Sequence, residues 1–333
     1  MGVTVGVAGA SGYGGGELIR LIEGHPDLEL GPVSAFGNAG ETLGSVHPQF
    51  PGLADRVLTG TGPDAFADVD LLFLALPHGT SAALAAQLPD RVKIVDLGAD
   101  FRLTDPELWQ RYYGGEHAGT WTYGLPELPG QRERIAASTR IANTGCYAVA
   151  TILALAPLIA AGVASAEDVV VVAASGTSGA GRSAKANLLG SEVMGNLTAY
   201  KVGAHQHVAE IKQATGAVSL SMTPVLAPMP RGILATVTAR PVAGDARAAL
   251  AEAYTDEPFV HLLPEGRQPS TAATAGSNAA QLQVSTDIDS GRIIVTCAID
   301  NLGKGAAGQA IQNANLILGL GETAGLTANG VAP

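Results

Sequence analysis

The sequence predicts an α/β fold in two regions, a parallel sheet covered on both faces and then an α+β domain. Three observations carry this. Over the first third, near-continuous apolar runs of strand length alternate with helical segments, as expected of strands buried on both faces. From residue 169 onward strands follow one another with fewer helices between, the texture of an α+β domain with a mostly antiparallel sheet. The chain has 333 residues, more than one hydrophobic core usually serves, so two domains are expected. Apolar residues at 47% against 15% charged exclude a disordered chain.

Taken in order, residues 3–8 read as a buried strand and 15–23 as the start of a helix. Strand candidates follow at 28–34, 71–76 and 92–97, with 80–87 helical between the last two. From 114 to 134 the pattern lapses into Gly, Pro and aromatic residues; a loop of that length in a compact domain serves function or an interface. Residues 141–143 are a short strand candidate and 146–161 an Ala/Leu-rich helix. The second region offers strands at 169–174, 218–225, 234–240, 281–286 and 292–299, with helices at 207–213 and 246–254. The last element, 305–318, is a helix behind a Gly-rich opening, placed to fold back on the first domain. No internal repeat or low-complexity tract interrupts the series.

The formal charge is −11 and no run of Lys or Arg is long enough to track a phosphate backbone, which argues against a nucleic-acid partner. Any anion site must therefore come from local groups, not from the overall field. The longest apolar stretch, 147–163, is short of a membrane span and carries Pro157, so no membrane partner is expected. The N-terminus runs straight into a strand without the pattern of a signal peptide, and there are two cysteines, Cys146 and Cys297. A cytoplasmic protein with reduced thiols is expected.

The segment VGVAGASGYGGGELIRLI sets Gly9, Gly12 and Gly15 in a G-x-x-G-x-x-G frame between a strand and a helix, with Ser11 and Tyr13 in the same turn. Glycine there permits a tight turn and close approach of the backbone to a pyrophosphate at the helix N-terminus. Glycine clusters also make ordinary turns, but a position directly after the first strand favours a dinucleotide and a Rossmann-type domain. Where NAD meets an acidic residue at the end of the second strand, the chain reads PVSAFGNAG, with Ser34 and no carboxylate until Glu41. A 2′-phosphate would suffer no repulsion there, which favours NADP; Glu41 swinging in would admit NAD instead. In FLALPHGTS a strand ends in Pro77, His78 and Gly79, at the kind of strand end that lines a cofactor crevice. His78 reads as a loop residue near the cofactor more readily than as a chemical group.

NTGCYAV joins a short strand to a helix and puts Cys146 at the helix start. Unpaired N–H groups and the helix dipole stabilise a thiolate at that position. The commonest fate of a free cysteine is to be a small buried apolar residue, and Cys297, in the alternating strand IIVTCAID, fits that fate. An activated cysteine needs an acid or base in reach, and GAHQHVAEI supplies His205 and His207 at the entry to a helix. A thiolate, an imidazole and a nicotinamide together support one chemistry: sulfur attacks an acyl carbon, a leaving group departs, and hydride reduces the thioester.

With these motifs in hand, the chain resembles the N-acetyl-γ-glutamyl-phosphate reductase family, relatives of aspartate-semialdehyde dehydrogenase. The resemblance runs over nearly the whole length through VAGASGYGGGELIRL, FLALPHGTSA, LGADFRL, YGLPEL, NTGCY, SGTSGAGR, GAHQHVAEI, RGILAT and IDNLGKGAAGQAIQN. It implies a Rossmann-type NADP-binding domain, residues 1–145 with 304–333, around an inserted catalytic and oligomerisation domain, 146–303. It implies Cys146 as nucleophile and His205 as the acid/base, with His207 the competitor that sequence alone leaves open. Arg102, in DFRL, is the candidate to grip the acyl phosphate with two charge-assisted bonds; the alternative is an ion pair with Asp100 or Asp105. Asn143, Gly176 and Arg182 join it as substrate-binding candidates. Ser178, Gly179, Asn301 and Gly305 are placed at the nicotinamide side, the last within the Lys304–Gly308 segment.

The reaction so implied is reduction of N-acetyl-γ-glutamyl phosphate by NADPH to N-acetylglutamate 5-semialdehyde and phosphate, in arginine biosynthesis. The substrate is a small acyl phosphate, no metal is required, and a homo-oligomer, a tetramer, is the implied assembly. Two rivals stand beside this reading. One is the same chemistry on aspartyl phosphate or a carrier-linked aminoadipyl phosphate. The other is a non-catalytic NADP-binding regulator, against which the Cys–His pair speaks, since a sensor needs no nucleophile.

Overall fold

The computed structural model describes residues 2–332. The chain forms two compact units, one of residues through Thr144 with Ala306–Leu326, the other of Gly145–Gly305 with the residues from Thr327 on.

The first unit is built on seven strands: β1 (Val3–Ala8), β2 (Leu28–Ala35), β3 (Thr59–Gly60), β4 (Leu71–Leu74), β5 (Lys93–Asp96), β6 (Thr122–Gly124) and β7 (Arg140–Asn143). They pair in the order β3-β2-β1-β4-β5-β7-β6, every neighbour parallel. Alternate side chains enter two separate cores, which is why the strands read as unbroken apolar runs. Val5, Val7, Leu71, Phe73 and Val95 pack with Leu18, Ile19 and Ile22 of the Tyr13–Glu23 helix and with Ala310, Ile311 and Ala314 of the Gly308–Leu318 helix. Ala8, Leu72, Leu74 and Ile94 face the other way, onto Phe66, Leu84, Leu88 and Phe101. The sheet order diverges on either side of β1, and in such sheets ligands bind beyond the carboxyl ends of the strands at that point.

Residues 114–134 depart from the expectation of a continuous loop. They contain β6 and the Gln131–Ala136 helix. Thr122, Tyr123 and Gly124 pair in parallel with Ile141, Ala142 and Asn143, and the Gln131 side chain donates to the Tyr123 carbonyl at 2.6 Å. Trp121 stacks on Phe101 with ring centroids 3.6 Å apart. Three residues bounded by glycine and proline are too few to show a period in sequence. A helix at Pro106–Tyr112, capped by Asp105 through the Glu107 and Leu108 amides, was likewise not among the expected elements.

The second unit holds β8 (Val169–Ser175), β9 (Thr198–Ala199), β10 (Leu220–Leu226), β11 (Ile233–Ala239), β12 (Val260–Leu262), β13 (Ala280–Thr286) and β14 (Ile293–Ile299). Their order is β12-β13-β14-β11-β8-β10-β9. The pairs β8/β10 and β12/β13 are parallel and the others antiparallel, so the sheet is mixed with antiparallel pairs in the majority. Val169, Val171, Ala173, Ala235, Val237 and Cys297 are buried, and the Cys146–Ala160 helix packs on β11 and β14. On the opposite face Val170 and Val172 are 37% and 46% exposed. Pro157 sits inside that helix, where its missing N–H leaves the carbonyl four residues back without its usual donor. The Tyr254 hydroxyl donates to that carbonyl, Leu153 O, at 2.6 Å.

The closing helix begins differently from expectation: Gly303–Ala307 is a π-turn, and the α-helix runs Gly308–Leu318. The tail from Thr327 bonds within the second unit, through Asn278 N–H to Thr327 O and Val331 N–H to Ala275 O, each 2.8 Å.

Candidate active site

Cys146 is the first residue of its helix and half-buried, with Gly145 as N-cap; Cys297 is fully buried, and burial pushes its thiol up to about 12. The two cysteines therefore sit in different environments. Tyr147, next to the cysteine, lies edge-on to both expected imidazoles, at 5.2 Å from His205 and 6.1 Å from His207 between centroids. The two histidine rings are themselves 4.8 Å apart. Tyr200 completes the group: its hydroxyl donates to the Tyr147 hydroxyl at 2.8 Å and its ring is 6.0 Å from His205. Burial above all pushes the Tyr200 phenol up to about 12; the bond to Tyr147 opposes this and charge on Cys146 adds to it. Tyr147 is pushed up further, by burial first and then by Tyr200.

The histidines differ in state. His205 is 3% exposed, and burial, with the Lys201 ammonium second, pushes it down to about 4. Its Nδ1 accepts the His207 backbone N–H at 3.2 Å, which leaves the neutral ring's proton on Nε2. His205 is therefore a neutral donor at physiological pH. His207 opens the His207–Thr215 helix and is 6% exposed.

The loops expected around the nicotinamide interlock in the same unit. The Asn301 amide accepts the Gly232 N–H at 2.7 Å and donates to Ser178 Oγ at 2.9 Å. Asp300, 0% exposed, pairs with Arg231 at 2.9 Å and accepts the Leu302 and Gly303 amides, anchoring the π-turn. Gly305 presses on Cys146: a Cβ there would stand 2.9 Å from its Cβ and 3.3 Å from its Cα. Gly176 caps the Thr177–Ala180 turn, Gly179 lies within it, and Arg182 is exposed.

In the first unit the glycine turn is closely packed against its own backbone, where a side chain would not fit. Gly9 has φ +87, and a Cβ on it would stand 2.3 Å from the Ala75 carbonyl oxygen; one on Gly15 would stand 2.3 Å from Gly9 O. Gly12 is the N-cap of the Tyr13–Glu23 helix and supplies no side-chain cap, and Tyr13 is 41% exposed. A helix end of this kind offers its opening amides to an anion. Ser34 is fully buried; its carbonyl accepts the Gly9 and Ala10 amides at 3.0 and 2.8 Å, and its hydroxyl bonds Thr61 at 2.8 Å. Glu41, the alternative ribose partner, accepts from the Asn38 amide at 3.1 Å.

The turn after β4 is held by the turn after β5. Asp100 accepts the Gly79 amide at 2.6 Å and the Ala82 amide at 3.2 Å, and His78 Nδ1 accepts Ala99 N–H at 3.2 Å. Ser81 and the Gly98 amide both donate to Asp96 Oδ1 at 2.8 Å. Asp96 is fully buried, and burial, against those two bonds, pushes it up to about 7. Arg102, expected at the phosphate, is 4% exposed and donates to the Asn143 and Leu97 carbonyls at 2.7 Å each. Neither of these bonds is the ion pair with Asp100 or Asp105 raised as its alternative. Asn143, expected at the substrate, is 1% exposed; it donates to Ala306 O at 3.0 Å and accepts from Asn313 at 2.9 Å.

Residues 4–138 match the family described as semialdehyde dehydrogenase, NAD binding domain, and 146–301 that described as semialdehyde dehydrogenase, dimerisation domain. N-acetyl-gamma-glutamyl-phosphate reductase of Salinispora tropica is 69% identical over 334 residues, with 100% of both chains covered. The chain belongs to the N-acetyl-γ-glutamyl-phosphate reductase family. A further member, from Acidothermus cellulolyticus, is 62% identical over 100% of both chains. Aspartate semialdehyde dehydrogenase II of Vibrio cholerae, complexed with ASA, shares the fold at a TM-score of 0.70 and 16% identity, covering 96% of this chain and 98% of that one. The Candida albicans aspartate semialdehyde dehydrogenase with NADP does so at 0.67 and 16%, covering 96% and 99%.

For a member of this family, several residues in the site carried no signal in sequence. His47 is 4% exposed, and its Nε2 lies 2.9 Å from Ala10 O, bracing the glycine turn; a Cβ on Gly16 would collide with its ring. Tyr200 and Glu210 join the site from positions with no periodic relation to Cys146. Among the described residues, no helix is long and apolar enough to cross a membrane.

Proposed function

We propose that the chain reduces N-acetyl-γ-glutamyl phosphate with NADPH to N-acetylglutamate 5-semialdehyde, releasing phosphate, as a step of arginine biosynthesis in the cytoplasm. The observation that carries the reading is a half-buried cysteine at a helix start, whose neighbour Tyr147 packs edge-on against two imidazoles, in a chain 69% identical over its whole length to a reductase named for this substrate. The Cys146 thiolate attacks the acyl carbon; the C–S bond forms, the C–OP bond breaks, and phosphate carries away the electron pair. The chemistry that NADPH would supply, when bound, is a hydride for the resulting thioester. His205, neutral with its proton on Nε2, donates a hydrogen bond to the oxygen as it becomes an alkoxide and keeps that proton while the alkoxide collapses, breaking the C–S bond to free the aldehyde and the thiolate. His207 acts through its backbone, orienting the His205 ring.

The cofactor is held by Gly9, Ser11, Gly12, Tyr13 and Gly15 at the diphosphate, with Ser34, Pro77, His78 and Gly79 from the same unit and Ser178, Gly179, Asn301 and Gly305 from the other. Arg102, Asn143, Gly176 and Arg182 serve the substrate, Arg102 and Asn143 by shaping the loops they bond. The first unit is the cofactor domain and the second the catalytic and oligomerisation domain. A homotetramer is part of this proposal, with a second copy covering the sheet face that bears Val170 and Val172.

NADP-linked oxidation of N-acetylglutamate 5-semialdehyde tests the reading. Turnover that requires added phosphate supports it. Equal or faster turnover of aspartate semialdehyde, or of a carrier-linked aminoadipate semialdehyde, replaces the substrate and keeps the chemistry.

A further inference from the structure

The first turn of the His207–Thr215 helix touches both halves of the proposed chemistry, and Glu210 is the part of it not yet used. Glu210 is 0% exposed, and its Oε1 accepts the Gly145 N–H at 2.8 Å, from a position 65 residues away. Gly145 is the N-cap of the Cys146 helix and has no side chain to bond its opening amides. Its carbonyl accepts the Val149 N–H at 2.9 Å, the first bond of the helix. Glu210 therefore fixes the peptide that introduces the nucleophile. One helical turn earlier, the His207 N–H holds Nδ1 of His205. The same stretch of helix grips the backbone before the sulfur and the ring that is to hydrogen-bond the substrate oxygen.

We propose that Glu210 is a positioning residue, whose carboxylate acts through the Gly145 N–H to set where Cys146 stands relative to His205. The proposal rests on the reading of Cys146 as nucleophile. A carboxylate also suits this place because it faces the positive end of the Cys146 helix. Glu210 bonds a backbone amide, so the property that matters is reach. Glutamine keeps the reach and an acceptor oxygen; aspartate keeps the charge and withdraws the oxygen by about 1.5 Å, one C–C bond.

Glu210→Gln and Glu210→Asp enzymes are compared with wild type in NADP-linked oxidation of N-acetylglutamate 5-semialdehyde with phosphate. Melting temperature and iodoacetamide labelling of Cys146 are followed in parallel. The glutamine enzyme is expected to keep kcat within about threefold, and the aspartate enzyme to lose about 10²-fold, the scale of a misplacement near 1 Å. In the aspartate enzyme the KM for NADP is unchanged and Cys146 still labels, a split that general loosening of the fold does not produce. Wild-type turnover in the aspartate enzyme, or equal losses in both, overturns the proposal. If the aspartate enzyme does not fold, the glutamine enzyme decides alone, and a loss beyond about tenfold refutes it. A Cys146→Ser enzyme that turns over normally would remove the nucleophile reading itself, an outcome distinct from either Glu210 result.

Discussion

The two units carry sheets of equal strand number built on opposite rules. In the first, neighbouring residues of β4 point alternately into two cores, so Leu71 and Phe73 join one and Leu72 and Leu74 the other. Those residues are taken up by packing, and the part of this unit proposed for recognition is the turns at the strand ends, where the Gly9 amide bonds Ser34 O and the Gly79 amide bonds Asp100. In the second, β8 alternates between core and surface, and a helix covers one face only. The reacting groups proposed for it are side chains at the starts of the Cys146–Ala160 and His207–Thr215 helices. An apolar run thus reports how many faces of a sheet are covered. It also tells where chemistry can be: in backbone at the ends of a two-sided sheet, in helix-borne side chains on a one-sided one.

The largest test of that contrast is Phe73→Ala, which empties a fully buried position of the two-sided sheet and should cost about 3–5 kcal/mol in urea unfolding. A loss under about 1 kcal/mol would mean the sheet is not tightly covered. Next is Gly305→Ala, whose Cβ would stand 2.9 Å from Cys146 Cβ. Displacing the nucleophile should lower kcat about 10²-fold while NADP binding, followed by fluorescence, is retained; unchanged kcat would show that Cys146 tolerates movement.

Protons sharpen the comparison further, because burial drives the two units' titrating groups to neutrality from opposite sides. Folded His205 resists protonation until about 4, against 6.5 ordinarily, so its contribution to stability is lost as pH falls between those values. Folded Asp96 keeps its proton to about 7 while the unfolded chain releases it near 3.8, so its contribution is lost as pH rises through that window. Stability measured in steps from pH 4 to 7 should change more negatively with rising pH in His205→Asn, which removes the rising contribution, and more positively in Asp96→Asn, which removes the falling one. Unaltered slopes in both would deny that these groups are desolvated. The smallest effect is expected for Val172→Ala on the open face: within about 0.5 kcal/mol for the monomer, with any larger change appearing only as dependence on protein concentration.

What could be read in the sequence divides along physical lines. Strands of the two-sided sheet announced themselves through composition, and Cys146 through a local junction of strand, glycine and helix. β6 stayed hidden because three residues show no period, although the Asp105–Pro106 pair did carry a helix-start signal for the segment before it. The supports of the site were beyond reach for another reason. Glu210 meets Gly145, and Tyr200 meets Tyr147, across 65 and 53 positions, distances at which no periodicity or cap motif operates. Arg102 and Asn143 were singled out for their chemistry, yet their bonds to carbonyls and to Asn313 depend on how turns pack.

The most direct measurement of the account is peptide mass analysis of the enzyme quenched in acid after mixing with N-acetyl-γ-glutamyl phosphate in the absence of NADPH. The account predicts an N-acetylglutamyl adduct on the peptide containing Cys146, absent from the Cys146→Ser enzyme, which should also lose nearly all reductase activity. Unmodified Cys146 beside full turnover, or an adduct on Cys297, would contradict it.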